Sequence, residues 1–162
     1  MLHLIPAPLH RTGLRIAHGL RKLWWRWRHP RVIGCRVLAF DAQGCVLLIR
    51  HSYGSGRWLP PGGGMARGED PVAAARRELR EEAGCALEDT IEVAMVEEDL
   101  HGAVNQVHVV AGRLSGEAHA DRREVIAARC FPLDALPADM PAPLRQQLPG
   151  WAEAFNRAPT RS

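Results

Sequence analysis

Three glutamates, Glu78, Glu81 and Glu82, stand at positions i, i+3 and i+4 in the stretch between Asp70 and Gly84. Residues three and four apart share a side of an α-helix, so a helix here gathers three carboxylates on one face. Like charges at that spacing repel by about a few tenths of a kcal/mol per pair when solvated, and by more when shielded from water. Arg76, Arg77 and Arg80 could offset part of this through local pairs, leaving a solvated, charge-laced helix face. A divalent cation would offset it more completely, because hard carboxylate oxygens are the ligands that Mg²⁺ and Mn²⁺ favour. Just upstream, Pro60 and Pro61 lead into Gly62, Gly63 and Gly64, where the backbone can approach a ligand or metal that any side chain would obstruct.

The elements that must position these groups carry clear local signals. Asp70 can cap a helix, Pro71 fits its first position where no backbone donor is needed, and Gly84 can supply the left-handed residue that ends it. Val72, Ala75, Leu79 and Ala83 recur three or four apart, so a second side of the helix over 70–84 can pack on a sheet. Before it, Val32–Phe40 and Cys45–Arg50 read as strands around the turn Asp41–Gly44, a hairpin pattern, and His51–Gly64 reads as a shaped loop. After it, Ile91–Glu98, Gln106–Leu114 and Glu124–Phe131 read as strands. Pro143–Phe155 reads as a final helix with Leu144, Leu148, Trp151 and Phe155 on one face. The order is strands, helix, strands, helix, without internal repeats.

The run from Gly63 to Cys85, GGMARGEDPVAAARRELREEAGC, resembles the Nudix box, G-x5-E-x7-R-E-U-x-E-E-x-G-U with U a bulky apolar residue. Gly63, Glu69, Arg77, Glu78, Leu79, Glu81, Glu82 and Gly84 fall on its fixed positions, with Cys85 in the last place where Ile, Leu or Val is usual. Cysteine serves there as a small hydrophobe. A second departure is Pro60, which stands where relatives commonly carry leucine. The resemblance implies a Nudix-type α/β/α sandwich with a mixed β-sheet, and Mg²⁺ (or Mn²⁺) held by Glu78, Glu81 and Glu82 with the backbone carbonyl of Gly62. Glu69 and Arg77 would be structural. The segment 121–137 resembles a further family region in which Glu124 would join the site, with Cys130 in place of a tryptophan. The implied reaction is attack by water on a diphosphate linkage of a nucleoside diphosphate derivative or related small molecule, with Glu81, Glu82 or Glu124 accepting the proton. A domain kept as a nucleotide-binding sensor without turnover is the alternative, and the complete set of box carboxylates argues against it.

Composition sets the remaining bounds. The 162 residues are 46% hydrophobic and 24% charged, which suits one globular domain. Four widely spaced cysteines offer no zinc pattern and read as reduced thiols, and no apolar run reaches membrane-spanning length, so a cytoplasmic enzyme is expected. The net charge of +3 is unevenly placed: no acidic residue precedes Asp41, whereas Arg11, Arg15, Arg21, Lys22, Arg26, Arg28 and Arg31 do. Residues 1–30 are therefore a basic, tryptophan-rich extension and 31–158 the hydrolase domain. Within the extension, 12–29 has the spacing of an N-terminal basic amphipathic helix. It could pack on the domain, form a homodimer, or rest on an anionic membrane surface and bring the hydrolase to a lipid-linked diphosphate. No specific nucleic-acid partner is predicted. For substrate contact, Tyr53, Trp58 and His108 could stack on a base or sugar, and Arg50, Arg57 and Arg113 could hold phosphates.

Overall fold

The computed structural model describes residues 32–100, 103–120 and 124–159; the basic extension lies outside them. Strands β1 (Val32–Phe40), β2 (Val46–His51) and β3 (Gly62–Gly64) precede helix α1 (Pro71–Ala83). Strands β4 (Ala86–Leu100), β5 (Ala103–Ser115) and β6 (Val125–Phe131) follow, then a short 3₁₀ turn at Leu133–Ala135 and helix α2 (Ala142–Arg157). The strands form one mixed sheet in the order β4-β5-β1-β2-β6, with β3 paired to β1. β1 runs parallel to β5 from Val32↔Asn105 to Phe40↔Arg113, and the other pairings are antiparallel.

The period-two alternation of β1 divides the core into two layers. Val37 and Ala39 face one way, packing with Leu47 and Val110 against Ala75, Leu79 and Ala83 of α1. Leu38 and Phe40 face the other way, against Leu144, Leu148, Trp151 and Phe155 of α2. Phe40 and Phe155 stack with ring centres 5.6 Å apart. The result is the α/β/α sandwich that the sequence implies.

The expected hairpin is only partly formed. β1 and β2 meet at Phe40↔Val46 and then diverge, because the glycine-rich loop enters between them. The amide of Val37 donates to Pro61 O (2.8 Å), Ile49 and Leu59 exchange backbone bonds, and Gly62–Gly64 pairs with Gly34–Arg36. The loop is thus fastened into the sheet, and it is held at the end of α1 where the carboxylates lie. β4 and β5 are longer than the sequence reading, since β4 starts at Ala86, directly after the helix stop, and absorbs its polar Glu88–Thr90 stretch in a bulge. No helix among the described residues is long and apolar enough to cross a membrane.

Candidate active site

Helix α1 begins and ends as its punctuation requires. The Asp70 carboxylate accepts from the Ala73 amide at 2.8 Å, Pro71 opens the first turn, and Gly84 takes φ 70°, its amide bonded to Arg80 O. With Leu79 and Ala83 fully buried, the rotation of the helix is fixed, and Glu78 and Glu82 turn toward the glycine loop.

Two glycines there make room for the acids, one against backbone and one against a carboxyl group. Gly62 has φ 154°, and a Cβ on it would lie 2.2 Å from Cys35 O. Its amide donates to Glu82 Oε2 at 2.8 Å. A Cβ on Gly63 would stand 2.6–2.7 Å from three atoms of the Glu78 carboxyl group. The loop backbone therefore forms a cradle for two carboxylates, at the cost of any side chain.

Glu78 and Glu82 are the enclosed acids, with side chains 12% and 11% exposed, and Glu82 Oε1 lies 3.4 Å from His51 Nε2. Burial pushes the Glu82 pKa up to about 8; the Gly62 amide pulls against this, while Glu78, Glu124 and Glu81 push with it. Burial likewise raises Glu78, opposed by Arg77. Glu81 is 60% exposed. Glu124 sits just before β6 rather than within it, its backbone carbonyl accepting from the Ser52 amide at 2.8 Å. Its charge is among those that push Glu82 up.

Arg77 organises the approach to these groups. It grips both oxygens of Glu69 (3.1 and 3.2 Å), reaches Glu78 Oε1 (2.6 Å) and Gly64 O (3.1 Å), and lies 3.7 Å from Glu81. Glu69 in turn accepts from the Ala66 amide, which ties the loop 64–69 to α1. Among the described residues no three His, Cys, Asp or Glu side chains converge on one point, because Glu78 leans on Arg77 and Glu82 on the Gly62 amide. The donor set nevertheless fits a hard divalent cation. It is all oxygen, it occupies a cradle that a single Cβ would fill, and burial, with the charges of Glu78, Glu124 and Glu81 behind it, raises Glu82, a cost that a bound cation offsets. The contact made by Gly62 here is through its N–H; its carbonyl is the group the sequence reading offers to a metal.

The substrate candidates scatter. Tyr53 packs on His51 with ring centres 5.0 Å apart. Trp58 lies edge-on to Phe131 with Arg50 stacked on it at 4.7 Å, and Arg50 is ion-paired with Asp139. Arg57 is exposed. His108 is bonded to Glu92 across β4 and β5 (2.7 Å), and Arg113 stacks on Phe155. Two polar groups escaped the sequence reading. His51, at the β2 bulge, reaches Glu82 only because the register slips between Arg50 and His51. Arg36 pairs with both oxygens of Glu98 (2.7 and 3.0 Å) and lies opposite Gly62 in the β1–β3 register. Its one sequence signal is a charge in the inward phase of β1, shared with Leu38 and Phe40.

A family model described as NUDIX domain matches residues 28–154. The chain is 35% identical over 107 residues to a Mycobacterium tuberculosis protein named "Putative 8-oxo-dGTP diphosphatase 2", covering 60% of this chain and 76% of that one. Among solved structures, a MutT NUDIX hydrolase from Burkholderia pseudomallei superposes with a TM-score of 0.64 at 26% identity, over 80% of this chain and 98% of the other. A MutT protein from Methanosarcina mazei Go1 superposes with a TM-score of 0.65 at 24% identity, over 80% and 96%.

Proposed function

The chain belongs to the Nudix family and is a pyrophosphohydrolase of it, and from that premise we propose that it cleaves the diphosphate linkage of a nucleoside di- or triphosphate derivative with Mg²⁺ (or Mn²⁺) at Glu78, Glu81 and Glu82. The observation that carries this reading is the enclosed Glu82, bonded to the Gly62 amide amid the charges of Glu78, Glu81 and Glu124. When bound, a divalent cation supplies neutralisation of charge on the diphosphate oxygens and a lower pKa for the attacking water.

The chain's own residues do the rest. Gly62 and Gly63 keep the carboxylates of Glu82 and Glu78 in place without side-chain obstruction, and Arg77 holds the loop 64–69 against α1. Glu82 is our choice of proton acceptor. Its Oε2 is fixed by the Gly62 amide, which holds the carboxylate in one orientation, as a general base that must reach one water requires. His51, 3.4 Å from Oε1, positions the other oxygen. In the reaction, the water oxygen bonds to phosphorus, the bridging P–O bond breaks, the water proton passes to the carboxylate, and the severed phosphate takes up the displaced electron pair. Tyr53, packed on the His51 that contacts Glu82, is our aromatic candidate for contact with substrate.

The resemblance to a relative named as an 8-oxo-dGTP diphosphatase supports a nucleoside triphosphate as substrate, and a location in the cytoplasm suits such a pool. The test is hydrolysis of a panel of oxidised and ordinary nucleoside triphosphates, sugar nucleotides, dinucleoside polyphosphates and lipid diphosphates in isotopically labelled water. Metal-dependent release of a nucleoside monophosphate and pyrophosphate, with label on one product, supports the reading. Turnover confined to lipid diphosphates would replace the substrate, and tight binding without turnover would replace the activity with sensing.

A further inference from the structure

Arg76 lies on the side of α1 turned away from the carboxylates. At 3.6 residues per turn, Glu78, Glu81 and Glu82 fall about 140–240° around the helix from it. Its guanidinium is pinned to the start of β4, with Nε donating to Leu87 O (3.2 Å) and Nη2 to Thr90 Oγ1 (3.1 Å). Arg113, on β5, stacks on Phe155 of α2 at 5.2 Å. Both arginines line one cavity of about 350 Å³, together with Asp89, Thr90 and Asn156. Among the described residues neither guanidinium is ion-paired with a carboxylate, so two positive charges face this space with donors to spare.

The cavity wall is specially built. The β4–β5 register slips between Glu88 and Ile91, and Asp89 takes φ 47°, in the left-handed region that aspartate enters more readily than most residues other than glycine. Gly112 lets this bulge close in, since a Cβ there would lie 2.6 Å from Glu88 O and 2.8 Å from Leu87 Cγ. Bulges re-aim side chains, and non-glycine residues in sparse backbone regions gather at functional sites. Here the bulge sets Asp89 and Thr90 on the wall that the two arginines share.

We propose that this cavity is a second ligand site, separate from the carboxylate cluster, that takes a small phosphorylated hydroxyl compound such as a sugar phosphate or nucleoside monophosphate. The planar donor forks of Arg76 and Arg113 suit phosphate oxygens. Asp89 and the Asn156 amide suit the hydroxyl hydrogens of the same molecule, and the negative charge of Asp89 disfavours a bare phosphate ion that brings no donor to it. The volume is at the small end of ligand pockets, which fits one phosphorylated sugar or nucleoside and not a dinucleotide. The proposal does not depend on the hydrolase reading.

Ribose 5-phosphate, AMP and inorganic phosphate titrated into the full chain with EDTA present, followed by calorimetry and amide NMR, would test it. We expect saturable binding of ribose 5-phosphate or AMP, tighter than inorganic phosphate, with shifts at Thr90, Gly112 and Asn156. Arg76→Gln and Arg113→Gln should each weaken it by about tenfold or more, Glu82→Gln should leave it unchanged, and Arg76→Gln should keep full hydrolytic turnover. Because Arg113 also covers Phe155, Arg76→Gln, on an exposed position, decides the matter if the Arg113 variant fails to fold. No saturation up to ~10 mM, shifts centred on Gly62 and Glu82, equal affinity for inorganic phosphate, or undiminished affinity in Arg76→Gln would each overturn the proposal.

Discussion

Glu82 makes the metal-free protein less stable as the pH rises, and the size of that effect follows from its surroundings. Its pKa is pushed from 4.5 to about 8 in the folded chain, chiefly by burial. Between those values the folded state keeps a proton that the unfolded state has released, so unfolding becomes easier by about 1.4 kcal/mol for each pH unit. The full span sets a ceiling of roughly 5 kcal/mol; relaxation and water entry around the carboxylate bring the expected loss between pH 5 and pH 8 to about 2–3 kcal/mol. For a chain of this length that lowers Tm by roughly 5–10 °C. Glu78, also raised by burial, acts in the same direction. Glu69 does not interfere, because Arg77 lowers its pKa and its contribution is lost only at pH below about 4.5. The assay is thermal unfolding in EDTA from pH 5 to pH 8.5, for wild type and Glu82→Gln. The variant keeps an acceptor for the Gly62 amide, removes the buried charge, and should show a flatter profile with a higher Tm at pH 8. A Tm that is level or rises over this range in wild type, or a slope the variant does not change, would refute the reasoning.

Other consequences follow from the same geometry. Gly63→Ala forces the Glu78 carboxyl group to retreat from 2.6 Å toward ordinary contact; turnover should fall by roughly 100-fold while circular dichroism stays normal, as expected for a misplaced catalytic group on an intact fold. Arg77→Ala removes the clamp on Glu69, Gly64 and Glu78, and chemical denaturation should show a loss of about 1–2 kcal/mol, the discounted value of a half-exposed network. Leu79→Ala empties a fully buried position under α1 and should cost about 2–5 kcal/mol in the same experiment. If residues 12–29 hold the protein on membranes, anionic liposomes should sediment the full chain and leave a version starting at Val32 in solution; equal recovery of both in the supernatant would dismiss that role.

Helix α1 was legible in the sequence because its signals are local: Asp70, Pro71 and Gly84 set its ends, and the spacing of Ala75, Leu79 and Ala83 set its inward face. The carboxylate face followed from the same periodicity. What the sequence left open depends on partners far along the chain. The alternation of β1 says that it has two buried faces, but not that its long partner is β5, some seventy positions away, in place of β2. The turn at Asp41–Gly44 suggests a simple hairpin, and only the structure shows the 61–64 backbone taking the place of β2 beside residues 34–37, with Leu59 bonded to Ile49 of β2. In the sequence His51 reads as the first residue of a loop, since a bulge has no sequence marker there. Arg113 had the right chemistry for phosphate, but its strand carries it to the Phe155 cavity and away from the acids.

The most direct test of the central claim, that the Gly62-anchored Glu82 acts with Glu78 and Glu81 in a metal-dependent diphosphate hydrolase, is Mn²⁺ binding and turnover measured together on wild type and Glu82→Gln. The account predicts that the variant stays folded, binds Mn²⁺ more weakly and loses turnover by several orders of magnitude. A folded variant with wild-type metal affinity and near-normal turnover would contradict it.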